Sequence, residues 1–225
     1  MMDLKRSLGV LALLLVSGCA STPPPAPLMA TVSLSTEGCL AAPLLTDAIS
    51  LTPTKKQAFQ VVSTLVDASK PCLTENAETS RYVVYQLPDS SDNHTVTVGG
   101  RQEEIRTFAP MIRLLDNDGK VTRQFDEDRL AIFGNILGVQ FRPQAKERYI
   151  LVLSNPKLVG KEIKTFETRL SATQGYAFNP ATGYGNSYQT LHGVENKASR
   201  VYSHEGFVDV TVQAIKGKIG LPNEK

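Results

Sequence analysis

The acidic residues form two clusters that could support catalysis or bind a metal. Asp116-Asn117-Asp118-Gly119 has the side chains of a calcium loop, but its glycine is at position four, where an EF-hand needs it at six. The tip of a β-hairpin explains the same residues, and we favour that interpretation. Asp126-Glu127-Asp128 supplies the carboxylates of a glycosidase, yet such a run is typical of a solvated surface.

Nucleophile and metal motifs are missing from the printed sequence. No serine lies in a Gly-x-Ser-x-Gly pattern. His204-Glu205 begins like a zinc-protease motif, but residue 208 is valine where the second histidine is needed. The three histidines, His94, His192 and His204, are scattered without ligand spacing. We therefore predict no catalytic residues, no metal and no cofactor, and we expect the chain not to be an enzyme.

Cys19 lies at the end of a segment with the layout of an export signal. A positive start at residues 5–6 precedes an apolar core over 8–16, too short for a bilayer span of about 20 apolar residues. Ser17-Gly18-Cys19 then resembles the bacterial lipobox, in which the cysteine sulfur takes a diacylglycerol before cleavage. The new amino group is acylated afterwards, for example with palmitate. The processed cysteine then carries three lipid chains, and two or more chains give firm attachment to a membrane.

The lipobox predicts the location of the mature chain. We predict that a signal peptide, 1–18, is removed and that lipid on Cys19 anchors the protein in the outer membrane, facing the periplasm. Alanine and serine follow at residues 20 and 21, whereas the enterobacterial sorting rule requires aspartate for retention at the inner membrane. The alternative is an ordinary secretory signal that contains a cysteine.

Cys39 and Cys72 are the two cysteines that remain once Cys19 carries lipid. The expected compartment is oxidising, so we predict a disulfide between them. It would close a loop of about 33 residues and stabilise the fold by about 3–4 kcal/mol on the chain-entropy model. Two unpaired thiols are the alternative, and a metal pair fits poorly with the scattered histidines.

The candidate contact residues lie in a polar, glycine-rich segment, 171–191. Its four aromatic residues are Tyr176, Phe178, Tyr184 and Tyr188. Such rings can stack on sugars or pack on a partner protein, because tyrosine combines an apolar face with a hydrogen-bonding tip. Alternatively, they hold the segment against the rest of the domain. Because the segment is poor in aliphatic residues, we predict a long loop.

Short strands separated by turns predict the fold that positions these residues. The segment 57–63 is ambiguous between helix and strand, and we favour a strand; a short helix is expected near 43–49. Clearer strands are predicted at 81–87, 95–98, 111–115, 121–125, 149–153 and 207–212. The pattern indicates a mainly β chain with an antiparallel β-sandwich or jelly-roll architecture. No glycine-rich strand-to-helix unit suggests a nucleotide-binding fold.

The composition changes along the chain and predicts its organisation. Residues 19–36 hold the lipidated cysteine and a proline-rich tether that extends by about 3.1 Å per residue. We predict an N-terminal extension over 37–75, the β-sandwich domain over 76–215 and a C-terminal tail over 216–225. The formal net charge of +2 gives no reason to expect nucleic acid, and the lack of tryptophan weakens the case for a strong sugar-stacking platform.

The segment 81–153, which contains most of the predicted strands, resembles the MalM family of maltose-operon periplasmic proteins. The resemblance rests on 81–88 with 95–98, on 107–116, which begins Thr-Phe-Ala-Pro and ends in aspartate, and on 148–153. Leu51-Thr52-Pro53 and the strand 208–212 also fit. It implies an envelope β-sandwich associated with carbohydrate uptake and without established catalysis. The lipobox and extra sequence around Cys72 depart from that soluble family.

These observations give three functional hypotheses. The first, which we favour, is a non-catalytic, outer-membrane-anchored sandwich that is accessory to carbohydrate transport or binding, with an oligosaccharide as partner. The second is a structural or assembly lipoprotein that docks another envelope protein. The third is an enzyme built on the carboxylates at 126–128.

Overall fold

A computed structural model describes residues 25–53, 59–89 and 94–214 of the chain. Short 3₁₀ helices lie at Leu45–Asp47 and Glu127–Arg129. The strands, in chain order, are β1 (Ile49–Ser50), β2 (Phe59–Val66), β3 (Cys72–Glu75), β4 (Glu78–Gln86), β5 (His94–Arg101), β6 (Arg106–Phe108), β7 (Pro110–Leu115), β8 (Val121–Phe125), β9 (Ala131–Phe133), β10 (Ile136–Phe141), β11 (Tyr149–Ser154), β12 (Glu162–Asn179), β13 (Tyr184–Ser203) and β14 (Gly206–Ala214).

Most of these strands form two facing sheets. The first has the order β1-β4-β11-β7-β8, with β3 also paired to β4, and the second has the order β2-β14-β5-β10-β9. Most neighbours are antiparallel; β1 and β4 are an exception. The prediction of a mainly β chain with a sandwich of antiparallel sheets is confirmed.

The first sheet is buried on both faces, which explains its continuous apolar runs. Val83 and Tyr85 of β4 belong to the core between the two sheets. Tyr82 and Val84, which alternate with them, pack in a second cluster on the other face. Residues from the N-terminal part of the chain, including Leu40, Leu45 and Ala48, cover that second cluster.

The segment predicted as an N-terminal extension, 37–75, therefore supplies strands to the sandwich. β1 pairs with β4, β2 pairs with β14, and β3 pairs with β4. The predicted disulfide between Cys39 and Cys72 is present and attaches the start of this segment to β3. The ambiguous strand corresponds to β2, whereas the helix expected near 43–49 is limited to the short 3₁₀ helix.

A close approach of two strands shapes the second sheet. Gly99 of β5 lies opposite Gly138 of β10. A Cβ on Gly99 would come within 2.5 Å of the Gly138 Cα, so only glycine fits this pair without displacing backbone. The inner faces of β5 and β14 contribute valines to the core, with Val98 and Val210 among those fully buried.

The prediction of a long loop over 171–191 is wrong, because the segment lies in two long antiparallel strands. β12 and β13 pair without interruption from Glu162–Val201 to Asn179–Tyr184. We call this β12–β13 hairpin the arm, and the turn that joins its strands is its tip. At about 3.4 Å per residue, β12 spans roughly 60 Å. In a two-stranded ribbon half of the backbone groups pair across the strands and the other half face water, so the ribbon forms without an aliphatic core and a low aliphatic content did not indicate a loop.

The described part of the predicted tether, 25–36, has no helix or strand, but part of it is fixed to the domain. The Thr31 amide donates to Ser203 Oγ at 2.9 Å, and the His204 amide donates to the Thr31 carbonyl. Ordered contacts with the fold thus begin before Glu37, where the sequence predicted its start. The signal peptide, Cys19 and the predicted tail at 216–225 lie outside the described residues.

Candidate functional site

The arm divides the four candidate aromatic residues between two faces. Side chains directly opposite each other on paired strands share a face, and successive residues alternate. Tyr176 and Phe178 lie on one face with Leu191, because their cross-strand partners are Ser187, Gly185 and Ala172, respectively. Tyr184 and Tyr188 lie on the opposite face. We call these the Phe178 face and the Tyr184 face.

Both faces leave large side chains in solvent. The exposed fraction is 68% for Tyr176, 58% for Phe178 and 66% for Leu191. On the other face it is 79% for Tyr184 and 56% for Tyr188. The structure therefore places all four predicted contact residues on one projecting element, but it does not bring them into a single site.

Two of the tyrosines also have a structural role within the arm. The Tyr188 ring covers Gly175, its direct cross-strand partner, and a Cβ on that glycine would collide with the ring. The Tyr176 ring covers Gly185 in the same way from a diagonal position. An aromatic ring over a strand glycine replaces packing that the glycine lacks. These rings hold the arm's own strands together, which differs from the predicted alternative of pinning a loop to the domain.

The root of the arm is fixed to the sandwich through β6. β13 pairs in parallel with β6 over Val201–Ser203. Arg200 is buried at this root, where its Nη1 donates to Thr165 Oγ1 at 2.6 Å and its Nε donates to the Glu103 carbonyl. One buried guanidinium therefore joins β12 and β13 to the segment before β6.

The described tether also meets the molecule at this root. Arg106 of β6 donates to the Met29 carbonyl at 3.2 Å and forms an ion pair with Glu103 at 3.0 Å. The Thr31 hydroxyl donates to Glu205 Oε2 at 3.1 Å, just beyond the end of β13. The chain that leads back to Cys19 therefore leaves the domain beside the base of the arm.

A buried serine–histidine pair was missed by sequence reasoning. Ser154 Oγ lies 2.8 Å from His204 Nδ1 and accepts a hydrogen bond from the Arg81 amide at 2.9 Å. The direction of the Ser154–His204 hydrogen bond depends on which ring nitrogen of His204 carries the proton. Burial, with a smaller effect of the Arg81 charge, lowers the pKa of His204 to about 4. The imidazole is neutral at pH 7.

The same pair has the residue types of a hydrolase but lacks access to solvent. Ser154 has no exposed surface and His204 is 5% exposed. A nucleophile must meet its substrate at bonding distance. The pair instead ties β11 to the corner between β13 and β14. Fifty residues separate the partners, and neither lies in a motif, so no local signal would have found them.

The acidic clusters have structural explanations. Asp116 Oδ1 accepts hydrogen bonds from the amides of Asp118 and Lys120 at 3.0 and 2.9 Å. Gly119 has a φ of 81°, which favours glycine. The predicted hairpin between β7 and β8 is confirmed, and the aspartate supports its turn. In the second cluster, Asp128 is highly exposed beside Arg129, which fits a solvated charge run.

Buried ion pairs are a further feature that the sequence did not reveal. Glu147 is fully buried and accepts from Arg123 Nε at 2.6 Å and Nη2 at 2.8 Å. The same guanidinium lies over the rings of Phe125 and Phe141 at 5.5 and 5.4 Å. On the second sheet, Asp209 accepts two hydrogen bonds from Arg101. Each of these charges is paired with an opposite charge within the domain, so we interpret the pairs as structural.

A polar cavity on the first sheet is also occupied by an internal ion pair. Its volume is about 180 Å³, and its lining includes Glu75, Arg113, Gln124 and Asp126. Arg113 Nη1 donates to both Glu75 oxygens at 2.9 and 2.8 Å, and its Nε donates to Gln124. A ligand would have to displace these partners, so the cavity is a weaker candidate than the arm.

Comparisons with known proteins give no relative for this chain: no family model matches it, and neither a curated protein nor a solved structure does so. Over 25–53, 59–89 and 94–214, no helix has the length and apolar composition needed to cross a membrane. Within those same ranges, no group of three or more histidine, cysteine, aspartate or glutamate side chains is placed to hold a metal ion.

Proposed function

We propose that this protein is a non-catalytic envelope lipoprotein, anchored in the outer membrane through Cys19, whose sandwich presents the arm to a protein partner. The observation that carries the proposal is the arm itself. It projects aromatic and aliphatic side chains that are 56–79% exposed. Exposed apolar patches on soluble domains mark interaction sites, and tyrosine and phenylalanine are enriched in protein interfaces.

The backbone of the arm supports docking as well. β12 is the outer strand of its sheet, and β13 meets β6 only at Val201–Ser203. Natural edge strands are usually protected by charged side chains, yet 171–191 contains no charged residue. A two-stranded ribbon is marginally stable alone in water, so cover by a partner would stabilise it.

The anchoring part of the proposal is supported by the lipobox at Cys19 and by the tether contacts at Met29 and Thr31. A Cys19→Ala variant tests it. The wild-type chain should incorporate labelled palmitate and sediment with outer membranes, whereas the variant should do neither. An unlabelled wild-type chain, or a variant that still sediments with the membranes, would reject the anchor.

The docking part is tested by a photoreactive phenylalanine analogue placed at Phe178 or Tyr184 in cells. Irradiation should yield a defined protein adduct from at least one arm position. Ile132, which is 53% exposed on β9, is the matched control and should yield none. If the arm positions give no more adduct than Ile132, docking through the arm is wrong.

Accessory carbohydrate binding, which the MalM resemblance implies, is the second candidate. The exposed rings of Tyr176 and Tyr184 favour it, because tyrosine can stack on a sugar ring while its hydroxyl forms hydrogen bonds. Calorimetry of the detergent-solubilised protein with maltodextrins and cell-wall glycans is the test. Binding heat that Tyr184→Ala weakens at least fivefold would support this function, and no heat with either class would exclude it.

A further inference from the structure

We propose that the partner of the arm is a second copy of this chain, bound through the Phe178 face. This inference rests on the proposed docking function and names its partner. It would make the protein a dimer whose two arms pack face to face, with the twofold axis running along the arms.

The distribution of large and small residues makes the Phe178 face complementary to itself. Each large side chain has a small residue directly opposite on the other strand of the same arm. The three rows are Tyr176 with Ser187, Phe178 with Gly185, and Leu191 with Ala172. A twofold axis along the arm exchanges the two strand positions between copies. Tyr176 and Leu191 then lie over Ser187 and Ala172 of the partner, whereas Phe178 packs on the Tyr176 ring that covers Gly185.

The row between those of Tyr176 and Leu191 fits the same twofold symmetry. Gln174 lies opposite Gln189 and therefore faces Gln189 of the second copy after the twofold rotation. A side-chain amide both donates and accepts, so two glutamines can satisfy each other across an interface. On the Tyr184 face, Tyr188 also lies opposite a small residue, Gly175, but its own ring already covers that glycine and leaves no space for a second copy.

Charge also favours a second copy. A charge on a self-pairing surface would be buried without an opposite charge unless the same surface supplied one, and that costs free energy. No charged residue lies within 171–191, whereas charged residues return toward the root, at Glu195, Lys197 and Lys164 in the strand register. The neutral stretch therefore coincides with the complementary rows.

The area available suits a dimer that forms on a membrane. Aromatic side chains bury about 150–250 Å² each when fully covered. With their exposed fractions of 58–68%, Tyr176, Phe178 and Leu191 offer about 350 Å² per copy. That gives about 700 Å² of apolar surface for the pair, to which the backbone and polar side chains add, against about 1,200 Å² for a stable interface. Tethering to one surface raises the effective concentration and compensates for a small interface.

In this dimer the two arms point in the same direction, and this parallel arrangement agrees with the position of the tether. The chain toward Cys19 leaves each domain beside the arm root, at Met29 and Thr31. A twofold axis along the arms keeps both roots at one end, so both tethers can reach the same membrane. An antiparallel pair would place the roots at opposite ends.

Single cysteines introduced into the full-length lipoprotein test this arrangement in isolated membranes. Ser187→Cys and Gln189→Cys lie on the Phe178 face, and Asn186→Cys and Thr190→Cys are matched exposed positions on the Tyr184 face. After treatment with a bifunctional maleimide that spans about 10 Å, gels should show a covalent dimer at both Phe178-face positions. We expect at least tenfold less dimer at the control positions.

A packing variant gives an independent readout. Phe178→Ser with Leu191→Ser should reduce the Gln189→Cys dimer at least fivefold. Tyr176 is kept because its ring covers Gly185 and supports the arm. The matched control is Tyr184→Ser, which removes a more exposed ring from the opposite face and should leave the dimer unchanged.

The possible results separate this inference from the function on which it rests. Equal dimer yields on both faces, or no dimer on the Phe178 face, would overturn the second-copy inference. Photocrosslinking of the arm to a different protein would also overturn it, while supporting docking. A dimer at Gln189→Cys but not at Ser187→Cys would contradict the parallel arrangement. Failure of every arm position to crosslink would reject docking as a whole.

Discussion

His204 connects the tether, the arm root and the core, and it does so in its neutral form. Its backbone amide donates to Thr31, and its ring is hydrogen-bonded to Ser154. Protonation of the ring would place a positive charge in a buried position, with the Arg81 charge nearby. The buried pair therefore makes this corner sensitive to acid.

The pKa of His204 predicts the direction of that sensitivity. It is about 4 in the folded chain, against 6.5 as the ordinary value, so below pH 6.5 the unfolded chain binds a proton that the folded chain does not. The free energy of unfolding should fall as pH decreases, by about 2 kcal/mol between pH 7 and pH 5. Urea unfolding at several pH values measures it. His204→Gln should flatten the profile, whereas the exposed His192→Gln should not, and an unaltered slope in His204→Gln would refute the assignment.

The Arg123–Glu147 pair predicts a second effect on stability at the scale of single residues. Arg123→Met should leave a buried carboxylate without its cation and cost about 3–5 kcal/mol. Adding Glu147→Leu should recover most of the loss, because an apolar pair needs no compensating charge. A double-mutant cycle by urea unfolding gives the coupling energy. Equal losses in the single and double variants would show that the ion pair is not the cause.

At the scale of elements, the arm depends on rings that cover glycines. Gly175→Thr should push the Tyr188 ring away and loosen the strands, because its Cβ would occupy the position of the ring. We expect amide exchange within 171–191 to accelerate roughly tenfold. The melting temperature of the sandwich should stay within about 2 °C.

The control for that variant is Ala177→Thr. It lies two residues away on the same face and adds a residue that favours strands. Its amide exchange should remain close to wild type. If both threonine variants loosen the arm equally, the ring over Gly175 is not what holds the strands together.

At the scale of the whole molecule, the sandwich and the arm should be separable. The two core clusters contain no residue from 171–191. Replacing 172–191 by Asn-Gly, which joins the paired residues Ser171 and His192, should therefore leave the melting temperature, followed by circular dichroism, within a few degrees of wild type. Membrane attachment should persist while arm crosslinking is lost. A drop of more than about 10 °C would show that the arm stabilises the core.

Local sequence patterns were sufficient to predict many strands of the sandwich. Alternating or β-branched runs predicted β4, β7, β8, β11 and β14, because burial of a strand face leaves its period in the sequence. The hairpin at Asp118-Gly119 followed from turn chemistry, and the disulfide followed from counting cysteines in an oxidising compartment. The arm was predicted wrongly, because a ribbon exposed on both faces has no buried face to produce that period.

The sequence by itself determined the candidate contact residues, the disulfide pair and a mainly β fold, since each of these depends on residue types or on short-range spacing. Tertiary structure alone decided which of them meet. It divided Tyr176 and Phe178 from Tyr184 and Tyr188, and it set the tether against the arm root. The contacts responsible join residues far apart in the chain, such as Thr31 and Glu205, separated by 174 positions. Packing of the tether against the end of β13 creates this contact, and no short-range pattern in the sequence marks residues so far apart as neighbours.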